Sequence, residues 1–571
     1  MKRVVLILCA ATMAACGGGA HDSTSPAVMG TPCTAASSVP VSLQIGQVAV
    51  VSNPAQMNCM SVQGTAPTAE YMFVAANANT RPDVIWNYSV SAAAGTAASA
   101  TVSPSIASDV VAAQGGSDAP PSFAEHLEAV RRAAEHQLPI ADARALARQS
   151  PAARQAAPGV HYSLQAPPGV GDILTLRVPD STKTPCTNFF TIGARVMAVS
   201  DHAIIAQDTL SPGGGFVSSD FVDIANEFDT FIFPTDTLHF GSPGDIDFNG
   251  KIIILFTPRV NAQTPRNSKS VLQGFFFGGD LFPRASCNES NIAELFYLLA
   301  PDPGAVFGDK RTTADVRQAT RGTIAHEFQH MINLAVRIRE SGASKDEATW
   351  LNEALSHLAE ELVGRAEHGF SDLRKLTIAD IDDEPLRNDF NAFFAQNLAR
   401  FKPWLQRPDT AGATSAHADR SLAVRGAAWA IVRFSADQFA GGDVPTFTRR
   451  LVTGPDTGVA NLAARSGVPF DSIMRGWMIA NYASDFGVAN LAPNSAYVSW
   501  NMRNVEAAIS SGTYPLTVTS LADGSSVVTK ATSGSGNYFR LAATPMTVRV
   551  RSTDGTLVTE PGARVYIVRT R

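Results

Sequence analysis

Residues 323–330 read Thr-Ile-Ala-His-Glu-Phe-Gln-His, and residues 350–357 read Trp-Leu-Asn-Glu-Ala-Leu-Ser-His. Residues four apart share one face of a helix, so His326 and His330 present both imidazoles in one direction. Glu327 lies between them, where its carboxylate can face a bound water. Ile324, Ala325, Phe328, Met331, Ile332 and Ala335 recur at helical spacing, which predicts a half-buried helix and not a polar loop. Downstream, Trp350, Leu351, Ala354, Leu355, Leu358, Ala359 and Leu362 predict a second buried helix, with Gly364 as its stop. Glu353 falls among these apolar residues, where a carboxylate is costly unless it is paired or binds metal. Two His, one carboxylate ligand and one carboxylate base are the parts of a catalytic zinc site with an open fourth position. The pattern therefore predicts one Zn2+ on His326, His330 and Glu353, with Glu327 as general base. The bland alternative makes both His core residues, Glu327 a solvent-facing charge and Glu353 an exposed helix carboxylate. Ser356, one turn beyond Glu353, is placed to hydrogen-bond a ligand from behind. His357 reads as a supporting or surface residue, and Glu360 and Glu361 as surface charges.

The wording AHEFQHMIN (325–333) followed by WLNEALSHLAEEL (350–362) resembles the gluzincins, metallopeptidases that combine His-Glu-x-x-His with a downstream Glu. It is similar in particular to the hyicolysin-type neutral zinc metallopeptidases. A weaker likeness extends over 160–500 and includes FGSPGDIDFNGKIIILFTP (240–258). The resemblance implies the same ligands and base. It also implies an α+β zincin-like catalytic domain, in which a mixed-sheet lobe faces a helical lobe with the metal helix between them. Many gluzincins steady the oxyanion with a Tyr or His, in some a Tyr three residues before a Gly that opens a helix. The comparable stretch here, Ala423 to Trp429, has Ala423 at the Tyr position. His417 and Tyr482 are the nearest alternative oxyanion donors.

The chain has 571 residues, too many for one simple core, and several domains are expected. Its charged fraction is 17%, with 43 Gly and 34 Pro, which suits a loop-rich extracytoplasmic protein. The net charge of −6, without a basic patch interleaved with aromatics, argues against nucleic acid as a partner. Met1-Lys2-Arg3, the apolar run Val4 to Ala11 and Met13-Ala14-Ala15-Cys16 resemble a lipoprotein signal peptide over 1–15. Cys16 would then carry the lipid and 16–32 would be a tether, so the only membrane contact is the N-terminal anchor. An ordinary secretory signal is the alternative, and both readings place the protein outside the cytoplasm, the first at the outer membrane or cell surface. Cys33, Cys59, Cys186 and Cys287 remain, which suggests two disulfides in an oxidising compartment. Sequence allows three connectivities; pairing within domains gives Cys33–Cys59 and Cys186–Cys287.

Short alternating runs predict a small β-sandwich over 33–113 and a C-terminal β domain over 501–571. These N-terminal and C-terminal all-β domains would flank the catalytic domain at 160–500. Residues 114–159 read as a linker and a helical segment broken at Pro139, either a pro-region or an interdomain helix. GFFFGGDLF (274–282) is a candidate for the edge strand that pairs with a substrate backbone, or for a hairpin near it. Asp245-Ile-Asp247-Phe-Asn249-Gly resembles the start of a calcium loop, with Phe256 where an EF-hand needs Glu. The competing reading is a hairpin turn whose Asn-Gly enters the strand KIIILF. The expected function is a zinc endopeptidase acting on a protein or peptide substrate. Two alternatives stand beside it: a catalytically silent surface lipoprotein that binds a partner through its β domains, and a zinc hydrolase of a non-peptide bond.

Overall fold

The computed structural model describes residues 33, 38–63, 69–95, 123–150, 168–382, 387–418, 421–541 and 545–571. The signal segment, Cys16, the tether and the linker at 114–122 lie outside the described residues.

The region from 168 to 298 is built on a six-stranded mixed sheet. Its strands are β1 (Ile173–Pro179), β2 (Phe189–Val199), β3 (Ala203–Asp208), β4 (Ile252–Phe256), β5 (Gly274–Phe276) and β6 (Leu295–Leu298). Their spatial order is β5-β6-β4-β3-β2-β1. The pairs β6–β4 and β4–β3 are parallel; β5–β6, β3–β2 and β2–β1 are antiparallel. The composition follows the placement. Every residue of β4 (IIILF) and β6 (LFYL) is buried, the continuous apolar run expected of strands covered on both faces. β2 instead alternates buried and partly exposed residues, as a half-solvated strand should. GFFFGGDLF supplies the edge strand β5 and then a short 3-10 turn at Gly278–Leu281.

Helix α1 (Phe123–Glu135) precedes the sheet, α2 (Thr313–Arg339) lies beneath β5, and α3 (Thr349–Glu367) packs on α2. α2 starts where its chemistry allows: Thr312 Oγ1 accepts from Asp315 N at 3.1 Å, and Asp315 Oδ2 accepts from Thr312 N at 3.1 Å. This reciprocal cap satisfies two backbone donors that the first turn leaves without partners. Gly322 lets the segment Phe390–Phe394 cross α2, because a Cβ there would sit 2.1 Å from the Ala392 carbonyl oxygen. The region from 387 to 508 is mainly helical, as expected, and includes α4 (Leu422–Phe439).

The two terminal β segments do not form separate flanking domains. Val39–Val41, Met60–Val62, Met546–Ser552, Ile85–Ala94 and Ser526–Thr532 make one sheet. Val518–Leu521, Ser535–Leu541, Tyr71–Asn77, Ala563–Arg569 and Val48–Val51 make the other. Each sheet interleaves strands from both ends of the chain around a shared core that includes Phe73, Trp86, Phe539 and Ile567. The physical reason is burial: Tyr71–Asn77 is covered along its whole length, and the strands that pair with it on both sides are C-terminal. Alternation alone reveals strands but not which distant strands close the sandwich.

Both within-domain disulfides are formed, Cys33–Cys59 and Cys186–Cys287. Pro139 breaks the early helical segment into α1 and a second helix at Ile140–Ala147. Arg144 ties the latter to the end of α2, donating from Nε to the Ile338 carbonyl at 2.8 Å. Among the described residues, no helix is long and apolar enough to cross a membrane.

Candidate metal centre

α2 carries His326, Glu327 and His330, and α3 brings Glu353 against them; all four are buried. His326 Nε2 and His330 Nε2 are 3.1 Å apart. Glu353 Oε2 lies 3.6 Å from His326 Nε2, and Glu353 Oε1 lies 3.4 Å from His330 Nε2. Donor atoms about 2.0–2.1 Å from a tetrahedral zinc ion lie about 3.3 Å from one another, so the three separations fit one small cation. Both Glu353 oxygens are buried, and apart from the two histidines they meet only the guanidinium groups of Arg425 at 3.2 Å and Arg132 at 3.6 Å, without a hydrogen bond of good geometry. Burial pushes the Glu353 carboxyl up, but Arg425, His330 and His326 outweigh it and hold the group well below the usual carboxylate range. Glu353 is therefore ionised, the form that a metal site would need.

The partners of the other ring nitrogens fix which nitrogen faces the cluster. His326 Nδ1 is 2.7 Å from Glu360 Oε1. His330 Nδ1 is 3.0 Å from Ser356 Oγ and 3.1 Å from Asn352 Oδ1. Ser356 gives its hydrogen to Gln329 Oε1 at 2.6 Å, so it accepts from His330. Both imidazoles are thus held by Nδ1–H and turn Nε2 toward Glu353. Burial, with the Arg132 cation, lowers the His330 pKa and keeps that ring neutral. At His326 burial acts the same way, but Glu353 and Glu360 outweigh it and raise the pKa to about 10 in the metal-free chain.

Sequence reasoning missed Glu360 and Glu361. Both are buried, at 4% and 0% exposure, and neither is a surface charge. Glu360 also takes a contact from His357 Nδ1 at 2.9 Å, so His357 too is interior. The signal was present: Glu360 is one helical turn beyond His357 and two turns beyond Glu353, on the ligand face. His326, His357 and Glu360 form a second trio with metal-like spacing. The Arg400 guanidinium lies 2.9 Å from His357 Nδ1 and 3.1 Å from its Nε2, so both ring nitrogens of His357 already face a partner. The first trio is the better cation site.

Glu327 Oε2 accepts from Phe276 N of the edge strand at 2.7 Å. Burial pushes its carboxyl pKa up, against the lowering pull of His326, Arg131 and Arg132. Glu327 and His326 line a cleft of about 290 Å3 shared with Gln273, Gly274, Arg400 and Arg425. A larger, more apolar cavity of about 810 Å3 lies near the start of α3, beside Ala348 and Trp350, and none of the trio lines it. The arginines were not foreseen. Arg425 of α4 lies 3.2 Å from Glu353 Oε2 through Nη1 and donates to Glu128 of α1 at 2.5 Å. Arg132 of α1 lies 3.6 Å from Glu353 Oε1, and the Arg131 guanidinium stacks 4.5 Å over Phe275. The stretch in which Ala423 replaces a Tyr does reach the site, but through Arg425.

The two alternative oxyanion donors lie elsewhere. His417 is exposed, its nearest ion-pair partner being Asp83 at 3.9 Å. Tyr482 stacks against Phe486 with ring centroids 5.3 Å apart.

Fold and site together describe an α+β protein with a buried His/His/Glu group, a candidate cation site, opening on a cleft. The chain is 29% identical over 141 residues to the neutral metalloprotease ShpI of Staphylococcus hyicus, a stretch covering 24% of this chain and 30% of that protein. No family model matches the chain.

Proposed function

We propose that the protein is a zinc endopeptidase of the gluzincin type. The observation that carries this reading is the set of three ligand atoms 3.1–3.6 Å apart beside the carboxylate of Glu327. Zinc held by His326, His330 and Glu353 would polarise the scissile carbonyl and acidify a water. Glu327 takes a proton from the attacking water and passes it to the leaving amine. Burial raises its pKa above that of a free carboxylate, which favours taking up the water's proton. Arg425, on the cleft wall beside Glu353, supplies the positive charge that faces the developing oxyanion. The edge strand β5 lies where an extended substrate backbone would align.

We further infer an extracytoplasmic protein anchored by lipid at Cys16. The basic start, the short apolar run and Cys16 support this, and the two disulfides fit an oxidising compartment. The test is digestion of an unbiased peptide library by the purified protein, with and without a chelator. Chelator-sensitive cleavage supports the peptidase. Absence of cleavage by metal-loaded protein would favour the silent binding lipoprotein, or a zinc hydrolase of another bond.

A further inference from the structure

The loop 241–251 joins the helix Phe233–Phe240 to β4, and β4 runs parallel between β3 and β6. Asp245 to Gly250 therefore does not form a hairpin turn: the strand it enters pairs with neither of its sequence neighbours as a hairpin would. The loop instead arrives at the start of the central strand β4, beside Glu294, the residue just before β6. Ile253 N donates to the Glu294 carbonyl at 2.8 Å, which locks the two approaches together.

We propose that Asp245, Asp247 and Glu294 bind a calcium ion that clamps this corner of the catalytic sheet. One carboxylate oxygen from each lies within 4.8 Å of the others. Oxygens around one Ca2+ at 2.3–2.6 Å lie no more than about 5 Å apart, so a single ion can touch all three. Glu294 carries the argument beyond an acidic cluster. It is 2% exposed; its Oε1 accepts from Ile246 N at 2.6 Å, while Oε2 is buried with no hydrogen-bond partner. A carboxylate oxygen left in that state is costly unless a cation meets it.

The nearby cations are already directed elsewhere. Lys251 Nζ donates to the carbonyls of Ser200 at 2.5 Å and Asp201 at 2.9 Å. Arg339 borders Gly244, but its Nη2 donates to the Ser242 carbonyl at 2.6 Å and its Nε to the Ala335 carbonyl at 3.2 Å. Asn249 is not a ligand: its Oδ1 accepts from Lys251 N at 2.6 Å and its Nδ2 donates to Asp247 Oδ2 at 2.7 Å, which holds Asp247 in place. Three carboxylates and no nitrogen or sulfur donor make a hard-cation site, and the irregular loop suits Ca2+ better than octahedral Mg2+.

The experiment follows thermal unfolding and calcium calorimetry of the full chain, using CaCl2 with MgCl2 as comparison, for wild type, Glu294→Gln and Asp245→Asn. This readout is independent of peptidase activity, so its failure and that of the zinc reading are separable. The expected result is a Ca2+-dependent rise in Tm for wild type, with at least tenfold weaker Ca2+ binding in both variants. Glu294→Gln without calcium should be at least as stable as ion-free wild type, because a carboxyl no longer has to be buried there without its ion. Wild-type Tm and calorimetry indifferent to Ca2+, or Ca2+ affinity unchanged in both variants, would overturn the proposal. Should Glu294→Gln fail to fold, the exposed Asp245→Asn decides by the same criterion.

Discussion

His326 Nδ1 lies 2.7 Å from Glu360 Oε1, and both groups are buried. The carboxylate fixes the imidazole's orientation and raises the basicity of the nitrogen that faces Glu353. Glu360→Gln keeps the shape but removes the charge. It should weaken metal affinity about 10- to 100-fold, measured by competition with a chromogenic chelator. Unchanged affinity would mean that Glu360 only fills space.

Arg425 is the cleft residue nearest Glu353 from the helical lobe. If it faces the developing oxyanion, Arg425→Ala should lower kcat about 100-fold with metal content unchanged, on the scale of one lost oxyanion donor. A rise in KM alone would make it a substrate-binding group, and loss of metal would make it a support for Glu353. Rescue by Arg425→Lys would show that charge matters more than the guanidinium fork.

Glu361 anchors a buried network. It accepts from Arg365 Nε at 2.7 Å, Trp429 Nε1 at 2.9 Å and Trp500 Nε1 at 2.9 Å. Removing one member leaves buried cations and indole donors uncompensated, so Glu361→Ala should cost about 3–5 kcal/mol, read as a lower denaturation midpoint. A change below about 1 kcal/mol would match an exposed charge and contradict the network.

Glu506 is fully buried and neither oxygen has a hydrogen-bond partner. Burial pushes its pKa up to about 8, with Lys402 pulling the other way. The unfolded chain ionises this group near 4.5, so between that pH and about 8 the folded state holds the extra proton. Stability therefore falls as pH rises through that window, at about 1.4 kcal/mol per unit for a full proton. Glu506→Gln should remove this slope, and its Tm advantage over wild type should grow from pH 5 to pH 8.5. An advantage that does not vary with pH would refute the assignment.

The sequence revealed the site's skeleton because local periodicity is enough to place it. The spacing of His326, His330 and Glu353 on two apolar helices needed no tertiary knowledge. Hydrophobic runs likewise marked β4 and the edge segment 274–282. What periodicity could not supply was long-range. Glu360 looked like a surface charge because charged residues usually are, but His326 from the other helix and His357 both close on its carboxylate. Arg132 reaches Glu353 from a helix more than two hundred residues upstream in sequence, a contact that no local pattern encodes. The terminal β segments were misread as two domains for the same reason: strand pairing between Tyr71–Asn77 and Ala563–Arg569 is set by closure of a shared core.

The central claim is tested most directly by peptide cleavage in Glu327→Gln at wild-type metal content. The account predicts one bound zinc per chain in both proteins, with cleavage lowered about 100-fold or more in the variant. Turnover equal to wild type at equal zinc content would contradict it.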